Sequence, residues 1–192
     1  MAVLFPGKML WLATPRTAST AIRDALLKAG GEPMGGHHCG LEHSGGGRRL
    51  IVGGSGEQFG EHEGEPVVTT IRNPYDLLVT WWLRHRHKAH EWRSFPDYIA
   101  TYNRKPSFAR SGDRLLYHAP NADILVRYEN LDVELPAALK KCGLEPITLT
   151  ERKNDTPGKT DDWRSYYDAE SIEAANRRFG AEIEQYGYEL LG

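Results

Sequence analysis

A fixed cation, several hydroxyls and a helix start come together in Thr14-Pro15-Arg16-Thr17-Ala18-Ser19-Thr20. The segment lies between an apolar run, Met9 to Ala13, that reads as a buried strand and a helical pattern that begins near Ser19. At such a junction the first backbone N–H groups of the helix lack partners within it, and the helix dipole adds positive potential at the same point. Ser19 and Thr20 add hydroxyl donors and Arg16 a permanent charge, so the segment is built to receive an anion. The alternative is an ordinary capped helix start with a surface arginine. The glycines and lysine of the G-x-x-x-x-G-K-S/T loop are missing, which argues against a triphosphate-hydrolysing site.

A second strand-to-helix junction is Arg72-Asn73-Pro74-Tyr75-Asp76, after the apolar run Val67 to Ile71. Asn73 is a good N-cap and Pro74 suits the first helical position. Thr80 follows the cap by close to two turns and returns to the face of Asn73 about 10 Å along the axis. An arginine folded back over the helix start would share one phosphate with that hydroxyl. Alternatively, Arg72 pairs with a nearby carboxylate and Thr80 only packs. A helix terminus contributes roughly 0.3–2 kcal/mol to an anion, against on the order of 4 kcal/mol gross for a partly buried charge pair. A multiply charged ligand therefore needs arginines as well as helix ends.

Short apolar runs that alternate with helical patterns are the signature of a parallel sheet covered by crossover helices. The expected fold is a three-layer α/β sandwich with a small, mainly parallel sheet. Ile22, Ala25, Leu26 and Ala29 line the inward face of the first helix, which stops at Gly30-Gly31. Leu78, Trp81 and Trp82 lie along the helix after Pro74, and Ile124 to Tyr128 is a third strand. A short helix over Pro136 to Cys142 ends at Gly143, and a last one from Asp168 carries Ile172, Ala175, Phe179, Ile183 and Tyr186 as its apolar stripe. Thirteen of the 20 glycines fall between Gly30 and Gly64, a segment that reads as a long functional loop with at most one short strand, Leu50 to Val52. The alternative is an insertion with no role.

At 192 residues and 40 % hydrophobic content, the chain suits a single domain spanning 1–192 with a substantial core. A net charge of -2 provides no global field for nucleic acid or an anionic membrane, so any anion is bound locally. No apolar run approaches the ~18 residues of a membrane span, and the N-terminal stretch is unlike a signal peptide, so a cytoplasmic location is expected. Two cysteines, Cys39 and Cys142, make no disulfide framework.

TPRTAST after the first strand, IRNPYDLLVTWW after a later one, VRYENL at the third, and the closing NDTPGKTDDWRSYYDAESIEAANRRFGAEIEQYGYEL together resemble the sulfotransferase superfamily, its carbohydrate and bacterial branch above all. The resemblance covers both ends and the middle of the chain and omits the Gly-rich segment. It implies a P-loop-like nucleotide-binding fold and 3′-phosphoadenosine 5′-phosphosulfate (PAPS) as donor, with no metal. By that likeness Arg16, Thr17, Ala18, Ser19 and Thr20 would hold the 5′-phosphosulfate, and Arg72 and Thr80 the 3′-phosphate. Arg152 and Lys153 would join the 3′-phosphate site, the alternative being a plain surface turn. Ala18 stands where a glycine is common, so its backbone must reach the required conformation with a Cβ present. Ala21 replaces the tryptophan that lies under the adenine in the cytosolic branch, which leaves the adenine platform unassigned.

A sulfuryl acceptor hydroxyl must lose its proton as the new S–O bond forms, and imidazole suits that task near neutral pH. Relatives place the base between the two phosphate motifs, where this chain has His37-His38-Cys39-Gly40-Leu41-Glu42-His43. His38 and His43 are the first candidates, with His37 and Glu42 behind. A zinc site and a solvated polar loop are the competing readings of this cluster. Arg84-His85-Arg86-His87-Lys88 reads as a solvent-facing helix end, or as cations for an acidic glycan. Trp81, Trp82 and Trp92 read as packing residues before a sugar platform. The implied reaction transfers a sulfuryl group to an acceptor hydroxyl, that of a carbohydrate or small molecule. A small-molecule kinase and a non-catalytic nucleotide-binding module are the alternatives.

Overall fold

The computed structural model describes residues 2–35, 39–43, 49–52, 57–62, 64–85, 92–101, 115–149 and 156–192. They form two compact units, one within 1–71 and 117–154 and the other mainly within 72–104 and 155–192.

The first unit is mixed α/β. Strands β1 (Ala2–Phe5) and β2 (Met9–Leu12) form an antiparallel hairpin. Its turn, Pro6-Gly7-Lys8, uses glycine for a φ of 68°. After α1 (Ser19–Lys28) the chain returns as β3 (Glu32–Met34), antiparallel to β1. Between them Gly31 packs so close to the hairpin that a Cβ there would lie 2.5 Å from Val3 Cγ1. Strands β7 (Val67–Ile71) and β8 (Ile124–Arg127) run parallel to β2, which completes a five-stranded mixed sheet in the order β3-β1-β2-β7-β8.

One face of this sheet, with Trp11, Val68 and Val126, packs on Ile22 and Leu26 of α1 and on Leu135 and Leu139 of α4 (Leu131–Lys141). The helix α4 begins before the expected Pro136, which lies inside it. Burial of Leu135, Ala138 and Leu139 outweighs the one backbone donor that proline removes.

The opposite face carries the largest departure from expectation. The Gly-rich segment 30–64 is not a loop: besides β3 it holds β4 (Gly40–His43), β5 (Arg49–Val52) and β6 (Gln58–His62), which form a three-stranded antiparallel sheet. Leu41 and Ile51 of this sheet join Cys39, Leu10, Leu12 and Val67 in a second core. Most of the glycines fall between these strands, and runs as short and polar as Gly40–His43 and Gln58–His62 show no clear period of two in the sequence.

The second unit is helical, with α2 (Pro74–His85), α3 (Phe95–Thr101) and α5 (Ala169–Gln185). Asn73 caps α2, its Oδ1 accepting from Tyr75 N at 3.0 Å, as its sequence position predicts. Trp82 packs between Phe95 and Tyr98, with ring centroids 5.9 and 5.3 Å away. The Glu182 carboxylate of α5 accepts from the backbone N–H groups of Leu115 and Leu116, both at 2.9 Å. Among the described residues no helix is long and apolar enough to cross a membrane.

Helix α5 starts at a reciprocal cap. The Asp168 carboxylate accepts from Ser171 N at 2.8 Å, and the Ser171 hydroxyl accepts from Asp168 N at 2.8 Å. Bonds from the Ser171 hydroxyl and amide hold the Asp168 carboxyl below the usual aspartate range. Because the folded-state value is depressed, this contribution is complete above the unfolded-state value and fades as pH falls through the folded one. Asp168→Ala is expected to lower the melting temperature at pH 7 and to narrow its difference from the parent protein in acid. Calorimetry at pH 7 and below pH 3 checks both.

Candidate functional site

The turn after β2 is tied down by buried hydroxyls. Thr69 Oγ1 on β7 donates to Leu12 O at 2.7 Å, and Thr14 Oγ1 lies 3.1 Å from Thr69 Oγ1. A threonine hydroxyl has one proton and that of Thr69 is committed to Leu12, so Thr14 is the donor between the two. Thr17 Oγ1 then donates to Thr14 O at 2.7 Å. Thr14, Thr17 and Thr69 are all buried.

Thr17 is flanked by two non-glycine residues in the left-handed region, Arg16 at φ 71° and Ala18 at φ 59°. Each such residue costs about 1–2 kcal/mol, so the turn holds strain that the buried hydroxyls and the flanking strands sustain. Ala18 thus takes up, with its Cβ, the conformation for which a glycine is the usual choice. It is also the N-cap of α1, where no side chain caps the helix. Left-handed residues in a turn just before a helix aim backbone N–H groups to one side, a concavity suited to an anion. Ser19 and Thr20 are half-buried at the first positions of α1, and Arg16 is half-buried before them. The Thr17 hydroxyl, by contrast, points into the fold.

Topology singles out the same turn. From β2 the chain crosses through α1 to β3 on one side of the sheet, whereas from β7 it proceeds to β8 on the other. The order reverses between β2 and β7, and in open α/β sheets ligands bind beyond the carboxyl ends of the strands at such a reversal.

The second junction differs from its expected role. Arg72 turns its guanidinium to Asp76: Nε lies 2.8 Å and Nη2 2.6 Å from the same oxygen, Oδ2. Thr80 sends its hydroxyl back along α2 to Asp76 O at 2.9 Å and is buried. Arg72 and Thr80 therefore meet at Asp76, one through its carboxylate and the other through its carbonyl, which is the carboxylate-pairing alternative. Lys159 joins them with Nζ 2.8 Å from Asp76 Oδ1. No donor meets Oδ1 in hydrogen-bond geometry among the described residues, so Lys159 acts there as a point charge.

Asp76 and Lys159 are the members that sequence reasoning missed. The i,i+4 spacing of Arg72 and Asp76 was a usable signal. Nothing local links Lys159 to either. Aromatic rings close this region: Trp163 stacks on Tyr75 at 6.0 Å and Tyr167 meets Tyr75 edge-on at 5.4 Å. Burial, then the Tyr75 and Asp76 charges, push the Tyr167 hydroxyl well above its ordinary range. It stays protonated and donates to Tyr75 O at 2.9 Å.

His37, His38, Arg152 and Lys153 lie outside the described residues, as does the side chain of His43, whose backbone ends β4 opposite Arg49. Glu42 is half-buried on the same strand. Trp81 is buried and stacks on His85, and Trp92 packs on Tyr98, in keeping with packing roles. Arg84 is exposed at the end of α2, whereas His85 is half-buried beside Trp81. No group of three or more His, Cys, Asp or Glu side chains is arranged to hold a metal ion among the described residues.

Asp76 faces both cations at about 9 % side-chain exposure. Its removal leaves buried charge without its counterion, so Asp76→Ala is expected to cost about 3–5 kcal/mol in urea unfolding. A loss below about 1 kcal/mol would show that the pair behaves as an exposed one. Compared with family models, curated proteins and solved structures, the chain matches none.

Proposed function

We propose that the chain is a cytoplasmic, PAPS-dependent sulfotransferase on a P-loop-like fold, which transfers a sulfuryl group to an acceptor hydroxyl of a carbohydrate or small molecule. The observation that carries the anion site is the strained turn in which Arg16 and Ala18, both left-handed, flank Thr17 at the uncapped start of α1. Strain of this kind persists where the surrounding structure over-determines it, and it clusters at ligand-binding turns. The identity of the donor rests on the resemblance of TPRTAST, IRNPYDLLVTWW, VRYENL and the closing stretch.

In this assignment the N–H groups of the turn, Ser19, Thr20 and Arg16 hold the phosphosulfate. The donor supplies an activated sulfuryl group. The acceptor oxygen forms its bond to sulfur as the bond from sulfur to the 5′-phosphate oxygen breaks, and His38 or His43 takes the acceptor proton. Charge that grows on the departing phosphate is met by Arg16 and the turn, with no reorganisation at the moment of transfer. Thr17 contributes its backbone, since its hydroxyl serves Thr14. By the resemblance Arg72 belongs to the 3′-phosphate site; within its own unit it lies with Lys159 on Asp76, while the Thr80 hydroxyl is turned to Asp76 O.

The discriminating experiment is a thermal-shift comparison of 3′-phosphoadenosine 5′-phosphate with ATP, each with and without magnesium, because a ligand of the native state raises the apparent melting temperature. The bisphosphate should stabilise the protein without magnesium. A shift only with ATP and magnesium would instead identify a kinase. Binding of the bisphosphate without sulfate transfer to a panel of acceptors would identify a non-catalytic module. In a labelled-sulfate assay, Arg16→Ala should lower turnover by about 100-fold, the scale of one lost charge-stabilising donor. Near-parental turnover would remove Arg16 from the mechanism.

A further inference from the structure

The buried hydroxyls behind the anion turn do more than fill space. Thr69 belongs to β7, far along the chain from the turn, yet its hydroxyl is the joint between two segments: it donates to Leu12 O on β2 and accepts from Thr14 in the turn. Thr14 in turn receives the Thr17 hydroxyl on its carbonyl. Thr17 is the residue between the two left-handed positions. The chain of bonds thus runs from the neighbouring strand to the centre of the strained turn, and each member is buried where water cannot substitute for a lost partner.

The geometry points to Thr69 as a positioning residue for anion binding, acting through Thr14 and Thr17 on the N–H groups of the turn. This deepens the assignment of the turn as the phosphosulfate site and rests on it. Without the Thr69 hydroxyl, Leu12 O and the Thr14 hydroxyl each lose a buried partner. The turn is then free to relax out of its left-handed conformation, which disperses the N–H groups.

The adjacent residue supplies an internal control. Thr70 is equally buried on β7, and its hydroxyl has no hydrogen-bond partner among the described residues. Thr69→Val and Thr70→Val therefore make the same chemical change one residue apart, and only the first touches the turn.

Calorimetric titration with 3′-phosphoadenosine 5′-phosphate, and separately with inorganic pyrophosphate, tests the assignment. Thr69→Val should weaken binding of both by about tenfold, the scale of one lost hydrogen bond with a buried group left unpaired. Thr69→Ser, which keeps the hydroxyl, should restore most of that loss, and Thr70→Val should bind as the parent does. Thr14→Val breaks the same chain one link nearer the turn and should reproduce the loss even if Thr69→Val fails to fold. Equal affinities for the Thr69→Val and Thr70→Val proteins, or for Thr14→Val and the parent, would overturn the positioning role. If the parent protein binds pyrophosphate but not the bisphosphate, the donor assignment fails and the Thr69 comparison is decided with pyrophosphate. Binding of neither overturns both.

Discussion

The parallel pairing of β2 with β7 is the constraint on which the candidate site depends. It sets Leu12 opposite Thr69, and only in that register does the Thr69 hydroxyl reach the Leu12 carbonyl while Thr14 reaches Thr69. A slip of one residue would turn Thr69 to the other face and bring Val68 or Thr70 to its place. The same pairing lies at the reversal of strand order, so one ladder of backbone bonds positions the turn and also buries the groups that shape it. Both faces of the ladder are covered, by α1 and α4 on one side and by the β4-β5-β6 sheet on the other, which protects the register from slippage.

In the helical unit the organising group is a carboxylate. Asp76 brings Arg72 and Lys159 within 3 Å, at 2.6 and 2.8 Å, on different oxygens. Desolvating such charges costs several kcal/mol per ion, which mutual attraction offsets only with good geometry. Thr80 and Tyr167 contribute to that geometry from within the unit: Thr80 bonds the Asp76 carbonyl, and the neutral Tyr167 hydroxyl bonds the Tyr75 carbonyl one residue before it. A buried cluster of this kind is a poor source of stability compared with apolar packing, and a good means of holding two cations in fixed positions.

Much of the framework was legible from residue pattern. Met9 to Leu12, Val67 to Ile71 and Ile124 to Arg127 are mainly apolar runs of strand length, and each is a strand of the central sheet. Asn73 and Asp168 cap their helices because short polar side chains reach the exposed N–H groups from a single local geometry. The missed elements fail for stated reasons. The strands β4 and β6 are short and mix glycine with charge, and the small sheet is held by Leu41 and Ile51 packed with Leu10, Leu12 and Val67 of a sheet distant in sequence. The early start of α4 reflects burial of Leu135 against the sheet, which overrides the local effect of Pro136.

At the level of the candidate site the division is sharper. The residue types alone determined that a cation, hydroxyls and a helix start would meet after the Met9–Leu12 strand, because strand, turn and helix there are contiguous and their mutual geometry is local; the strand before it, Ala2–Phe5, was not expected. The resemblance, in which Ala18 stands where a glycine is common, implied that its backbone would reach that residue's conformation with a Cβ present, and the φ of 59° is what the folded chain adds. Only the folded chain decided which hydroxyls face inward, since Thr17 and Thr14 find their partners through Thr69 on another strand. Only the folded chain decided, too, that Lys159 would join Arg72 at Asp76. Electrostatic and hydrogen-bond partners are chosen by distance in space, and distance in space is set by strand pairing and helix packing, which no single segment encodes.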